Sequence, residues 1–375
     1  MSRHVPHLNV RVFTVLVFVS LPLMAVAAAL VLGVGQAQLR DSYGLQLTQV
    51  AEHIAAGIDT YMYRRILDVG VLAKVPGIHD VAAASTAPLD PDKVRAIEKE
   101  WDSARVATAQ RLGVLDSPVA AYLRDITEHD RIYREIFVTD RAGRLVATSN
   151  VTTDYYQADE AWWQEAFDDG VRGRVSVGDV GWDESAKAFV IEIGMPITLS
   201  ADSQFVGILK VMADAREMLA PATGLQLGTT GEAWILRTDG SVVYSRRASS
   251  PKLQFFAVDL LRPRLEAYKA GTLQLPLTLR AGDSDGRGHV VAVVASQLGL
   301  SYSKLDWIVA MTQAEDEVFA PVRAQFWRLI GVFGLVAALV MAVTAWFSVR
   351  LSQPPIEPGL HLSEHPAVAR IEDTD

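Results

Sequence analysis

The 375-residue sequence has no cysteine, which excludes a disulfide framework, a thiolate zinc site, an iron–sulfur cluster and a cysteine nucleophile. Positive charge is scarce too: 35 Lys and Arg against 44 Asp and Glu leave a net charge of −9, with no basic stripe. A nucleic-acid partner is therefore not expected, because binding a polyphosphate requires concentrated cations that release counterions. Nucleophile-elbow, Walker and dinucleotide fingerprints are missing, and the eight histidines are scattered. Gly228-Thr229-Thr230-Gly231 precedes a strand pattern and reads as a tight turn, not a phosphate cradle. These absences point away from an enzyme and from a resident cofactor. Asp179, Asp183 and Glu184 cluster in sequence but lack the alternating spacing of a calcium loop, so no metal site is expected.

Apolar residues, by contrast, are abundant: 50% of the chain, with a mean hydropathy of +0.18. Much of this sits in two charge-free runs, 12–35 and 329–349, each long enough for a hydrocarbon core of about 30 Å. The first exceeds the roughly 7–15 apolar residues of a cleaved leader and favours an uncleaved anchor. Trp327 and Arg328 open the second, and Trp346 and Arg350 close it, as in an interfacial belt. Arg3, Arg11 and Arg350 outside the runs favour cytoplasmic termini. The reading is then a two-pass protein of a bacterial inner membrane: a cytoplasmic N-terminus 1–11, spans 12–35 and 329–349, an extracytoplasmic region 36–328, and a cytoplasmic tail 350–375. That tail is too short for a kinase or cyclase.

Between the runs, Tyr43, Leu47, Val50, Ile54, Ile58, Met62, Ile66, Val69 and Ala73 recur in steps of three or four. This spacing predicts one amphipathic helix of about 50 Å, ended by Pro76-Gly77. A second helix is predicted over about 91–112, with a charged, solvated face. Strands follow at 136–140 and 145–149 around Arg141-Ala142-Gly143, then a short aromatic helix at 160–169, then strands at 174–180, 188–197 and 205–214. The order recurs from Ala233 to Tyr244, with further strands at 272–279, 289–296 and 305–312. A five-stranded antiparallel module thus repeats, at a spacing of about 100 residues.

Several of these segments together resemble the double Cache sensor regions of bacterial chemoreceptors and sensor kinases, over roughly 38–318. They are the long helix, Val138-Thr139-Asp140-Arg141-Ala142-Gly143 with Ala147-Thr148-Ser149, and Ala161-Trp162-Trp163. Asp183-Glu184-Ser185, Met195-Pro196-Ile197, Val206-Gly207-Ile208-Leu209, Gly228 to Ala233 and Leu305-Asp306-Trp307 continue the order. The resemblance implies an α+β fold: a long N-terminal helix and two stacked PAS-like antiparallel-sheet modules, flanked by two transmembrane helices. Helices would occupy 38–130, the distal module 131–220 and the proximal module 221–318. It also implies ligand binding in the distal module, and Arg350 to Ile356 looks like the start of a HAMP segment.

The distal loop from Asp154 to Trp163 packs four aromatics among acidic groups, the composition of a small-molecule pocket. The candidate ligand-binding residues are Tyr155, Tyr156, Glu160, Trp162, Trp163 and Asp183. One of the two tryptophans is expected to fasten the loop to the sheet and the other to line the pocket, and Asp183 either binds ligand or caps a turn. Double Cache receptors for amino acids resemble this region: Tyr155, Trp162, Trp163 and Asp183 match their pattern. Their arginine, which would clamp a carboxylate, is Glu160 here, and their final aspartate is Met212. The resemblance therefore implies a cationic or polyhydroxylated ligand in place of an α-amino acid. The leading expectation is a membrane sensor that shifts helix positions on binding a small molecule. It would be a homodimer through the helix 38–74 and would act on a cytoplasmic or membrane signalling partner. The competing expectation is a ligand-free, membrane-tethered protein acting on another receptor.

Overall fold

The computed structural model describes residues 10–84, 89–183, 187–199, 204–224, 227–245, 255–283 and 285–351. Two compact units are present, one within 1–39 and 320–375 and the other formed by 40–319. Helix α1 (Val10–Leu72) is followed by α2 (Pro76–Ala84), α3 (Pro91–Arg111) and α4 (Pro118–His129). The distal module then comprises β1 (Tyr133–Asp140), β2 (Leu145–Thr148), α5 (Ala161–Phe167), β3 (Ser176–Val177), β4 (Gly181–Asp183), β5 (Ala188–Leu199) and β6 (Gln204–Asp214). After α6 (Ala215–Thr223), the proximal module comprises β7 (Glu232–Arg237), β8 (Val242–Ser245), α7 (Val258–Lys269), β9 (Leu277–Gly282), β10 (Gly288–Ala295) and β11 (Trp307–Ala314). Helices α8 (Glu315–Val318) and α9 (Ala320–Leu351) close the described chain.

Both sheets are antiparallel and share one topology. The distal order is β2-β1-β6-β5-β3, with β4 also on β5, and the proximal order is β8-β7-β11-β10-β9. In the distal module the expected strand at 174–180 shortens to β3, and β4 follows three residues later, beyond that range; both pair with β5. Pro276 sets the start of β9 at Leu277 instead of 272, since proline cannot donate to the ladder. Pro76 begins α2, a position where its missing N–H costs nothing.

The apolar stripe of α1 joins the two sheets. Leu47, Ala51, Ile54, Ile58, Met62, Ile66 and Val69 are buried in one cluster with Ile136, Val138, Ile193 and Leu209 of the distal sheet and Ile235, Ala292, Val309 and Met311 of the proximal sheet. Each fully buried Ile or Leu there contributes about 1.5–3 kcal/mol. This corrects the expectation that the stripe forms a dimer face: it is the spine of the chain's own core. Large apolar residues that α1 leaves exposed in this region are Leu45, Tyr63, Leu67 and Val71, with Leu67 and Val71 at 68% and 71% accessibility.

Polar contacts fix the junctions. Asp59 on α1 accepts from the Ser296 hydroxyl at 2.5 Å and the Gln297 N–H at 2.9 Å. Between modules, Asp179 accepts from the Trp307 indole at 2.9 Å and ion-pairs with Arg237, and Lys304 meets Glu165 of α5 at 2.5 Å. Glu317 accepts from the Thr230 hydroxyl and from the backbone N–H groups of Thr229 and Thr230 at 2.7 and 2.9 Å; these hydrogen bonds, the hydroxyl's first, hold that carboxyl at a pKa of about 2.

Among the described residues one segment, Ala320–Trp346, is long and apolar enough to cross a membrane, and it contains most of the 329–349 run. The 12–35 run lies within α1, where the apolar stretch found is the shorter Phe18–Ala27. The HAMP-like start runs past Leu351, and Glu184 and Ser185 also fall outside the described residues.

Asp59→Ala should lower stability by about 1–3 kcal/mol, because the buried Ser296 hydroxyl and the half-buried Gln297 N–H lose their acceptor. Thermal or denaturant unfolding of the detergent-solubilised chain checks this; an unchanged midpoint would mean that the contact holds nothing.

Candidate functional site

Strand alternation gives each sheet an inner face toward α1 and an outer face. On the outer distal face two cross-strand rows lie side by side. One is Phe137–Lys210–Gly194 and the other Glu135–Met212–Glu192. Lys210 is only 4% exposed. Its Nζ stands 3.5 Å from the Glu192 carboxylate, 4.3 Å from the Trp162 ring centroid and 5.6 Å from that of Phe137. Next to this cluster Glu135, also buried, accepts from the Asn150 amide at 3.0 Å.

Helix α5 covers this face. Trp162 crosses Phe137 edge-on at 5.8 Å and lies over Gly194, where a Cβ would come within 3.3 Å of the ring. Its indole Nε1–H is buried without a hydrogen-bond partner. Trp163 faces elsewhere: its Nε1–H donates to Thr139 Oγ1 at 3.1 Å and its ring stacks on Phe167 at 4.8 Å. Trp163 is thus packed as a fastener, while Trp162 contacts the polar cluster.

Glu160 occupies the N-cap position of α5 without making a side-chain cap. Burial pushes its pKa up; Lys210 offsets part of this, and Asp154, Asp159 and Glu192 add to the rise. Tyr155 is buried against Trp101 at 5.9 Å, and burial raises its pKa. Tyr156 donates its backbone N–H to Glu98 at 2.5 Å and bridges to Arg144. Asp183 is placed apart from this group. It pairs with Ala188, six positions along β5 from Gly194, about 20 Å at 3.3 Å per residue. Asp179 is engaged in the inter-module contact.

Sequence reasoning missed Lys210, Glu135 and Glu192. Lys210 and Glu192 are each a single charge within an apolar run of their strand, and such a residue on a covered strand is itself a signal of a polar site; Glu135 follows Arg134 and carries no such signal. The proximal sheet offers an internal comparison, because its equivalent rows are Trp234–Ala310–Val293 and Glu232–Thr312–Val291. There, alanine replaces the lysine and valine replaces the second glutamate. Trp234 instead packs edge-on against Phe255 at 5.1 Å in an apolar cluster.

Residues 35–322 match the Cache domain family. The chain belongs to that family. Cache domains are extracellular ligand-binding modules of chemoreceptors and histidine kinases, with a signalling rather than a catalytic role. Among solved structures the chain is similar to the ligand-binding domain of Campylobacter jejuni chemoreceptor Tlp3 in complex with L-norvaline, at 13% identity. The match covers 75% of this chain and 94% of that one, with a TM-score of 0.49. It is also similar to the ligand-binding domain of Pseudomonas aeruginosa PAO1 amino acid chemoreceptor PctB with L-Arg, at 13% identity, 75% and 98% coverage and a TM-score of 0.45. No curated protein is found similar to the chain.

Two outcomes follow from this geometry. Gly194→Val should lift Trp162 off the sheet, seen as a red shift of its fluorescence against a Trp162→Phe reference; an unchanged spectrum would place the ring elsewhere. A carboxyl whose pKa is raised by folding stabilises below its ordinary pKa of 4.5 and loses that contribution as pH rises through the folded value. Glu160→Gln should therefore gain in melting temperature relative to wild type as pH rises from about 4.5 toward neutrality, and a pH-independent difference would contradict the assignment.

Proposed function

We propose that the chain is a two-pass membrane sensor whose distal Cache module binds a small extracytoplasmic molecule and shifts helix positions across the membrane. The observation that carries this reading is the contrast between the two outer sheet faces. Lys210 and Glu192 stand beneath Trp162 in the distal module, where the proximal module has Ala310 and Val291. A buried cation and several carboxylates are costly to desolvate, so their presence in one of two equivalent rows suits a role in recognition. Trp162 and Glu160 face this row, and Tyr155, packed on Trp101, and Tyr156 lie in the loop that leads to them. The acidic surplus fits a cationic or polyhydroxylated ligand. Trp163 acts by fastening α5, and Asp183, at the edge of the sheet, stands outside this row. Both termini are cytoplasmic in this reading, and the helix shift is passed to a cytoplasmic or membrane signalling partner. Self-association would use the exposed Tyr63, Leu67 and Val71, spaced four apart on one side of α1.

A ligand biases such an equilibrium only by its difference in affinity between the two states. The test is a metabolite thermal-shift screen on the detergent-solubilised chain. Tyr155→Ala or Trp162→Ala should abolish the shift produced by any hit, whereas Trp234→Ala should lower the melting temperature and leave the shift intact. The reverse pattern would move the site to the proximal module. Single cysteines at 63, 67 and 71 should crosslink between copies, while cysteines at the buried positions 54 and 58 should not. Equal crosslinking at both sets would exclude this dimer face.

A second reading, a ligand-free protein that docks on another receptor, draws on Trp182 and Phe189. These rings pack edge-on at 5.3 Å, each more than half exposed, at the β4–β5 hairpin.

A further inference from the structure

Two ligand classes suit the acidic surround of the distal row, and Lys210 distinguishes them. Its ammonium is held by the Trp162 face at 4.3 Å, the Phe137 ring at 5.6 Å and the Glu192 carboxylate at 3.5 Å. Aromatic faces together with a carboxylate are the surroundings that bind a free alkylammonium ion. Here the chain supplies the cation itself. The scaffold does not require a lysine at this point, since Ala310 fills the same row position in the proximal sheet. Gly194 on the neighbouring strand gives Trp162 the room to lie flat over the ammonium.

We propose that Lys210 is a resident cation that fills the ammonium position of the distal site, so that free amines are excluded and the ligand is a neutral polyhydroxylated molecule, a polyol or monosaccharide. The inference rests on the distal-site reading above and narrows its ligand class. An incoming ammonium that sought the same cage would meet the Lys210 charge at close range. A hydroxyl group both donates and accepts. Hydroxyls can therefore accept from the unpartnered Trp162 Nε1–H and from Lys210 while donating to Glu160 and Glu192, without adding charge. The C–H face of a sugar or cyclitol can lie against the rings of Tyr155 or Trp162.

The experiment uses the detergent-solubilised full chain and n-propylammonium chloride, with sodium chloride at equal ionic strength as control. Lys210→Ala empties the cage, and propylammonium should then raise the melting temperature in the millimolar range. Its apparent affinity should be at least about tenfold better than for wild type, and adding Glu192→Gln should abolish the gain. Equal responses in wild type and variant, or a folded Lys210→Ala chain that gains nothing, overturn the proposal. If Lys210→Ala does not fold, the wild type decides by tryptophan fluorescence referenced to Trp162→Phe. A response to myo-inositol or glucose without one to propylammonium supports the proposal. A response to propylammonium at equal or better affinity, or to none of these probes, overturns it. The Tyr155 and Trp162 variants of the metabolite screen test the distal reading separately, so a failed amine rescue leaves that reading standing.

Discussion

One face of one helix is the inner wall of both sheets. Leu47 to Val69 of α1 are buried in a single cluster that draws on β1, β5 and β6 of one module and β7, β10 and β11 of the other. Much follows from this. Inner-facing strand residues must be apolar, because they meet α1, and polar chemistry is confined to the outer faces. The two modules cannot rotate freely about each other without disturbing packing along the same helix. Asp59 supplies a directional contact within this apolar seam, holding the segment after β10 through Ser296 and Gln297.

The outer faces show how a duplicated framework diverges at a few positions. Strand order and pairing register correspond between modules, and both sheets keep a Glu-x-aromatic pattern on the equivalent strand, Glu135 to Phe137 and Glu232 to Trp234. The difference is concentrated where α5 lies over Lys210 and Glu192. In the proximal module α7 contributes Leu261 and Leu265 to an all-apolar cluster. One copy thus keeps a buried lysine, paired with a half-buried glutamate, at the cost of desolvation, and the other keeps ordinary packing.

Periodicity made the fold legible. Steps of three and four exposed α1, and alternating β-branched residues between turn signals exposed most strands, because burial on one face leaves that imprint on sequence. Helix α7 escaped notice, with Pro263 inside its apolar pattern. The loop residues of the site were legible from composition, and the strand residues were not. Lys210 sits in Phe-Val-Gly-Ile-Leu-Lys-Val-Met, and only the register with Phe137 and Gly194 shows that it enters a covered aromatic cluster. Asp179, Asp183 and Glu184 looked like neighbours, yet Asp179 is turned toward Trp307 of the other module, a contact that no local spacing encodes. The stripe of α1 posed the opposite problem: its apolar character was plain, but a core face and a dimer face have the same periodicity.

Helix α5 is only seven residues long, and it carries Trp162 at the polar cluster and Glu165, three residues on, in the ion pair with Lys304 of the proximal module. So short a rod moves as one piece. Whatever tilts Trp162 must also strain or relax the Glu165–Lys304 contact, and by thermodynamic reciprocity that contact must weigh on where Trp162 rests. A distal module cut free of its neighbour would then hold Trp162 in a setting that belongs to the fragment and not to the whole chain.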